Sequence, residues 1–199
     1  MIAIIDYGMG NLRSVQKALE KVGATARITQ NPDEIQKAAK VVLPGVGAMR
    51  PAMERLKDLN LVPIIRSVIE AGKPFLGICL GFQLLFESST EGGQTEGLGI
   101  LEGSVERFSQ LKIPQIGWNQ LHIKNENSPL LKSINGSVNV YFCHSYYVQP
   151  SDPRIITATT NYGLEFASSV CKNNVFGVQF HPEKSQAVGL QILKNFYEL

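Results

Sequence analysis

The sequence predicts an α/β fold: an open, mostly parallel sheet flanked by helices, with an antiparallel extension in the C-terminal half. Three observations predict it. Short apolar runs alternate with stretches of helical period from Met1 to Phe86, Gly- and Pro-rich turns separate them, and after Glu87 the helical period disappears until the last residues.

Taken in order, Ile2, Ala3, Ile4 and Ile5 form a short buried strand, and a turn with Gly8 and Gly10 leads into a helix from Asn11. On that helix Leu12, Val15, Leu19 and Val22 recur on one face, and Gly23 ends it. Residues 25–29 read as a second strand and 33–39 as a short helix. Residues 41–43 read as a third strand running into Pro44-Gly45-Val46-Gly47. Helices over 49–56 and 62–71 precede a fourth strand at 75–78, which passes at once into a helix over 81–86. Residues 88–99 read as a polar, Gly-rich loop, followed by β-type segments at 100–108, 138–148, 155–160 and 167–180. A last helix over 185–197 turns Val188, Ile192 and Phe196 inward. No repeat or linker divides the chain, and 199 residues fit one domain, 1–199, that buries roughly 70% of its unfolded surface.

Charge and cysteine usage narrow the function. With 19 basic against 17 acidic residues and no basic run with interleaved aromatics, nucleic acid is a poor partner. No apolar stretch approaches the 18 or more residues of a membrane span, and Asp6 interrupts the apolar N-terminus too early for a signal peptide, so no membrane and a cytoplasmic location are expected. Cys79, Cys143 and Cys171 form no CxxC pair and no zinc-type spacing with histidine, which argues against a disulfide framework or a metal.

The strongest local signal is Gly77-Ile78-Cys79-Leu80-Gly81, in which a strand passes into a helix through one reactive residue flanked by glycines. This is the nucleophile-elbow pattern: the side chain stands on a sharp, strained turn, and the glycines let neighbouring backbone approach. Cys79 is expected to be exposed at the sheet's C-terminal edge, where the N-terminus of the following helix favours thiolate. A buried cysteine in a tight strand-helix junction would give the same local pattern.

A thiolate nucleophile needs an imidazole, and the chain has three histidines. His181 follows the apolar run Val175 to Phe180 and precedes Pro182-Glu183. In an extended segment His181 and Glu183 face the same side, which suits a carboxylate that orients the ring. His144 competes for the base role at the end of another apolar run, but no carboxylate lies within three residues, so it reads as structural. His122, in a polar segment, is weaker still. Cys143 and Cys171 read as packed in strands. The glycines of Pro44-Gly45-Val46-Gly47 free backbone N–H groups for a developing oxyanion beside the elbow. The Gly8/Gly10 turn is not a dinucleotide fingerprint, because Arg13 stands where the third glycine would fall.

These motifs together, in this order and spacing, resemble the class I (triad) glutamine amidotransferases over nearly the whole chain. Within the class, the segments Asp6 to Leu12, Gly117-Trp118-Asn119, His144-Ser145-Tyr146 and His181 to Ser185 resemble the glutaminase subunits of imidazole glycerol phosphate synthases. The resemblance implies that Cys79 attacks the side-chain amide of glutamine, with His181 as acid/base and Glu183 orienting it. Gln83 and the backbone of Gly45, Val46, Gly47, Leu80, Ser145 and Tyr146 would form the glutamine pocket and oxyanion site. It also implies a (β/α)8 cyclase subunit that takes the ammonia to cleave and cyclise a phosphoribulosyl-formimino aminoimidazole carboxamide ribonucleotide in histidine biosynthesis. Asn11, Trp118, Tyr146 and Lys184 would lie on or near the partner-facing side. No cofactor is implied. The alternatives are a glutaminase subunit of a different synthase and a non-catalytic module that regulates a partner.

Overall fold

A computed structural model describes residues 1–199. Its centre is a parallel sheet built from β1 (Ile2–Ile5), β2 (Ala26–Thr29), β3 (Lys40–Gly45) and β4 (Phe75–Cys79). Helices α1 (Leu12–Lys21), α2 (Pro32–Lys37), α3 (Met49–Asp58) and α4 (Val62–Glu70) connect them. Asn11 starts α1 by accepting from the Ser14 backbone N–H through its side chain, which satisfies one otherwise orphan donor.

Side-chain alternation along β1 shows why helices cover both faces. Ile2 and Ile4 pack with α1 residues Val15 and Leu19, whereas Ala3 and Ile5 pack with α2 and α3 residues Ile35, Met53 and Leu56. Strands buried on both sides read as continuous apolar runs, which is why the front half was legible.

After β4 the chain departs from the expected pattern. The helix predicted over 81–86 is a single turn, α5 (Leu80–Gln83), and strand β5 (Phe86–Ser89) follows it. Phe86 is needed beside Leu101, its partner on β7 (Leu101–Arg107), so the apolar run leaves the helix early. The predicted loop over 88–99 contains β6 (Thr95–Glu96), which pairs antiparallel with β5.

Strand β8 (Gln115–Ile123) was not expected, because only Gln115 and Leu121 along it are buried and no apolar alternation marks it. Segment 138–148 divides at Ser145 into β9 (Val138–His144), which pairs with β8, and β10 (Tyr146–Pro150), which pairs with β7 and β12. Beyond β11 (Ile156–Asn161), segment 167–180 likewise divides, into β12 (Glu165–Lys172) and β13 (Val175–Val178) joined at Asn173-Asn174. Helix α6 (Gln186–Glu198) closes the chain with Ile192 and Phe196 fully buried and Val188 partly so.

The principal strand order is β2-β1-β3-β4-β13-β12-β10-β7-β5-β6, with β11, β8 and β9 branching from β12. Strand β13 is parallel to β4 and antiparallel to β12, so it is the seam between the two halves. At this seam Gly45 pairs with Cys79 and Val178 with Ile78, which brings the ends of β3, β4 and β13 to one edge. Ligands of open α/β sheets bind at such an edge. No helix is long and apolar enough to cross a membrane.

Candidate active site

Cys79 ends β4 with φ 54° and ψ −110°, a left-handed backbone that a non-glycine residue holds at a cost of about 1–3 kcal/mol. The flanking glycines permit it: a Cβ on Gly81 would collide with the Leu43 carbonyl, and one on Gly77 would press on the backbone of Gly81 and Phe82. The elbow is therefore real. Its side chain, however, is recessed rather than exposed, at 5% accessibility, because the Cys143 carbonyl lies 3.8 Å from Sγ and the Gln179 amide 3.7 Å from it. The single turn of α5 carries little dipole, so His181, and not a helix end, is the cation beside the sulfur.

His181 follows β13 and is tied across to β9, where its N–H donates to the Tyr141 carbonyl at 2.9 Å. Residues Pro182–Lys184 form a short 3-10 turn, not the extended segment expected, and the turn brings Glu183 back under the ring. Nδ1–H of His181 donates to Glu183 Oε1 at 2.8 Å, between side chains 4% and 2% exposed. That leaves Nε2 for the Cys79 sulfur, which is near enough to help raise the ring's pKa. Burial works against a charged ring, but the hydrogen bonds and negative charges of Cys79 and Glu183 outweigh it and raise the His181 pKa to about 10.

A cleft of about 250 Å³ opens above these groups, below the ~300–1,000 Å³ typical of pockets for drug-sized ligands and suited to an amino acid. Val46, Gly47, Leu80, Gln83, Ser145 and Tyr146 line it together with Cys79 and His181. The N–H groups of Val46 and Gly47 make no backbone hydrogen bond and remain available as donors. Gly45 is not at the surface of the cleft: the Tyr7 hydroxyl, buried and without a partner, lies directly against it, and a Cβ there would collide with that oxygen. Burial, then the charge of Cys79, raise the Tyr7 pKa.

The proposed partner-side residues divide. Lys184 also lines the cleft and sits 5.6 Å over the Tyr141 ring, whose edge contacts Trp118, 49% exposed on β8. Asn11 is exposed at the start of α1 and does not line the cleft.

His144 also lines the cleft, but burial holds it neutral, with a pKa lowered to about 4. Its Nδ1 bonds the Tyr146 carbonyl at 2.7 Å and its ring packs among Phe108, Phe142 and Phe166. Cys143 corrects an expectation: it is exposed on β9, because the alternation that buries Phe142 and His144 turns it outward. Sequence reading passed over Glu91, Pro114 and Gln179. Glu91 lines the cleft while its carboxylate accepts from the Met49 N–H at 2.7 Å. Gln179 stands two residues before His181 on the same run, so strand alternation was the available signal for it.

Comparison with known proteins bears on the family and the fold. The family model "Glutamine amidotransferase class-I" matches residues 3–199. A protein from Moorella thermoacetica, named imidazole glycerol phosphate synthase subunit HisH, is 54% identical over 199 residues, covering 100% of this chain and 94% of its own. One of the same name from Thermosynechococcus vestitus is 55% identical over 202 residues, covering 100% and 96%. Among solved structures, one titled as a glutamine amidotransferase superposes with a TM-score of 0.78 at 18% identity, covering 100% of this chain and 98% of its own. PurLQS from Thermotoga maritima gives 0.77 at 20%, covering 99% and 95%. At such identities the two structures establish the fold alone. The family rests on the sequence matches, and by them this chain belongs to the class-I glutamine amidotransferases.

Proposed function

We propose that the chain hydrolyses glutamine to glutamate and ammonia and passes the ammonia to a (β/α)8 cyclase subunit, the two forming an imidazole glycerol phosphate synthase of histidine biosynthesis. The observation that carries the chemistry is the His181 ring, bonded to Glu183 and sharing the floor of an amino-acid-sized cleft with Cys79. The full-length relatives carry the assignment to this synthase.

In this reading the Cys79 thiolate attacks Cδ of the glutamine side chain, and the carbonyl oxygen becomes an oxyanion beside the free N–H groups of Val46 and Gly47. His181, held protonated by Glu183, gives its proton to the amide nitrogen, the C–N bond breaks, and ammonia leaves a γ-glutamyl thioester. The now neutral ring takes a proton from water, which attacks the thioester carbonyl; the C–S bond breaks, glutamate departs, and the thiolate-imidazolium pair is restored. Glu91 and the Gln83 carbonyl oxygen offer acceptors for the substrate's α-ammonium. Asn11, Trp118 and Lys184 lie on the partner-facing side. The work takes place in the cytoplasm, where three unpaired thiols, one of them the nucleophile, stay reduced.

The test is glutamate release from glutamine by the purified chain, alone and with its cyclase subunit and the ribonucleotide substrate. Activation by partner and ligand, abolished by Cys79→Ala, is expected. Glutaminase activity indifferent to that partner would instead assign the chain to another synthase. Absence of turnover in both cases would leave a regulatory module.

A further inference from the structure

A chain of polar groups runs from the cleft wall to the sulfur, and one member of it, Gln179, has no part in the proposed chemistry. Tyr146 of β10 supplies a backbone carbonyl, which accepts from Gln83 Nε2 at 2.8 Å. The same Nε2 donates to Gln179 Oε1 at 3.0 Å, and Gln179 Nε2 in turn faces Cys79 Sγ at 3.7 Å. Gln179 is fully buried, so its amide cannot exchange these partners for water, and Gln83 is 5% exposed where it borders the cleft.

The order of donors in this chain is fixed from one end. A backbone carbonyl only accepts, so Gln83 must turn its NH₂ toward Tyr146, and both N–H groups are then committed. Gln179 must answer with its oxygen, which leaves its NH₂ toward the sulfur. Turning either amide over would set donor against donor or acceptor against acceptor in a buried site, at a cost comparable to an unsatisfied group. His144 reinforces the anchor, since its Nδ1 meets the same Tyr146 carbonyl and must carry a proton there.

We propose that Gln179 is a positioning residue: its amide, oriented through Gln83 by the Tyr146 carbonyl, presents an N–H to Cys79 Sγ and turns the Gln83 oxygen into the cleft. This rests on reading Cys79 as the nucleophile and adds a residue outside the Cys79, His181 and Glu183 set. The N–H matters because Sγ also faces the Cys143 carbonyl at 3.8 Å, an acceptor that favours the thiol. Gln179 offsets that carbonyl and leaves His181 free for proton transfer. The other titratable groups around the sulfur are Glu183 behind His181, Tyr7 beneath the elbow, His144 on β9, and Glu91 and Lys184 at the cleft wall. None of them takes the place of the amide donor.

The test is the pH dependence of Cys79 alkylation by iodoacetamide in the full chain, read at that cysteine by peptide mass, beside steady-state glutaminase kinetics. Gln179→Met keeps the side chain's bulk and loses both bonds. It is expected to move the alkylation midpoint up by about one pH unit and to raise KM for glutamine roughly tenfold, as Gln83 loses its fixed orientation. Gln83→Leu does not touch the sulfur, yet should move the midpoint in the same direction by a smaller amount, because Gln179 is then free to turn. It decides the matter if Gln179→Met does not fold. A midpoint unmoved in the folded variants would overturn the proposal, since a merely structural glutamine has no reason to set the sulfur's titration. Alkylation needs no turnover: if the two variants shift the midpoint but the wild-type chain releases no glutamate, the glutaminase reading fails while this one stands.

Discussion

His144 ends β9 and His181 follows three residues after β13; both border the same cleft and are buried, at 6% and 3% accessibility. They are nevertheless pushed in opposite directions, His144 down to about 4 and His181 up to about 10. Burial alone disfavours the charged ring in both places. The difference lies in what each ring meets: His144 has a backbone carbonyl and three aromatic rings, whereas His181 has a carboxylate and a thiol. This edge thus offers a position, and the carboxylate two residues on turns that position into a proton donor.

The comparison is broken most severely by removing the charged member. His181→Asn is expected to lower kcat for glutamine hydrolysis on the order of 10⁴-fold, measured as glutamate release at saturating glutamine, with the fold retained by circular dichroism. Glu183→Gln keeps the ring but removes its anionic partner, so the His181 pKa should fall and kcat should drop on the order of 10² to 10³-fold. An imidazole NMR titration of His181 checks the first, and a pH-rate profile whose alkaline limb moves to lower pH checks the second.

The two rings also leave opposite marks on stability. His144 is depressed in the folded state, so it contributes stability above pH 6.5 that is lost as pH falls from 6.5 toward 4, on the order of 3 kcal/mol. His181 is raised, so its contribution is full below pH 6.5 and is lost as pH climbs toward about 10. Urea midpoints measured from pH 4 to 10 should therefore fall on both sides of a maximum near pH 6.5. His144→Phe should flatten the acid side alone. The smallest effect is expected at the exposed rim: Trp118→Ala should change unfolding of the isolated chain within about 0.5 kcal/mol while weakening partner-stimulated glutaminase activity. Parallel urea and coupled-assay measurements check it.

Much of this was legible in the sequence. Buried parallel strands announce themselves as apolar runs, and the elbow and the His181/Glu183 pair carry chemistry in their spacing. Strand β8 was illegible because its faces are largely polar or exposed, and what orders it is its pairing with β9 and β11 rather than its own pattern. The break at Ser145 was hidden for the opposite reason: apolar residues continue through it while the partner strands change. Gln179 was passed over because a search for titratable groups has no use for an amide, although alternation placed it on the same strand face as His181.

Cys79, with φ 54° and ψ −110°, holds a conformation that glycine adopts at less cost, while its side chain, 5% exposed, both packs in the core cluster with Ile78, Phe142 and Phe180 and reaches the cleft. Replacing Cys79 by glycine would relieve about 1–3 kcal/mol of backbone strain, but it would give up the side chain's packing and loosen the unfolded chain. The elbow therefore holds its nucleophile against a backbone preference for glycine, with the packing around the side chain and the flanking glycines sharing that cost.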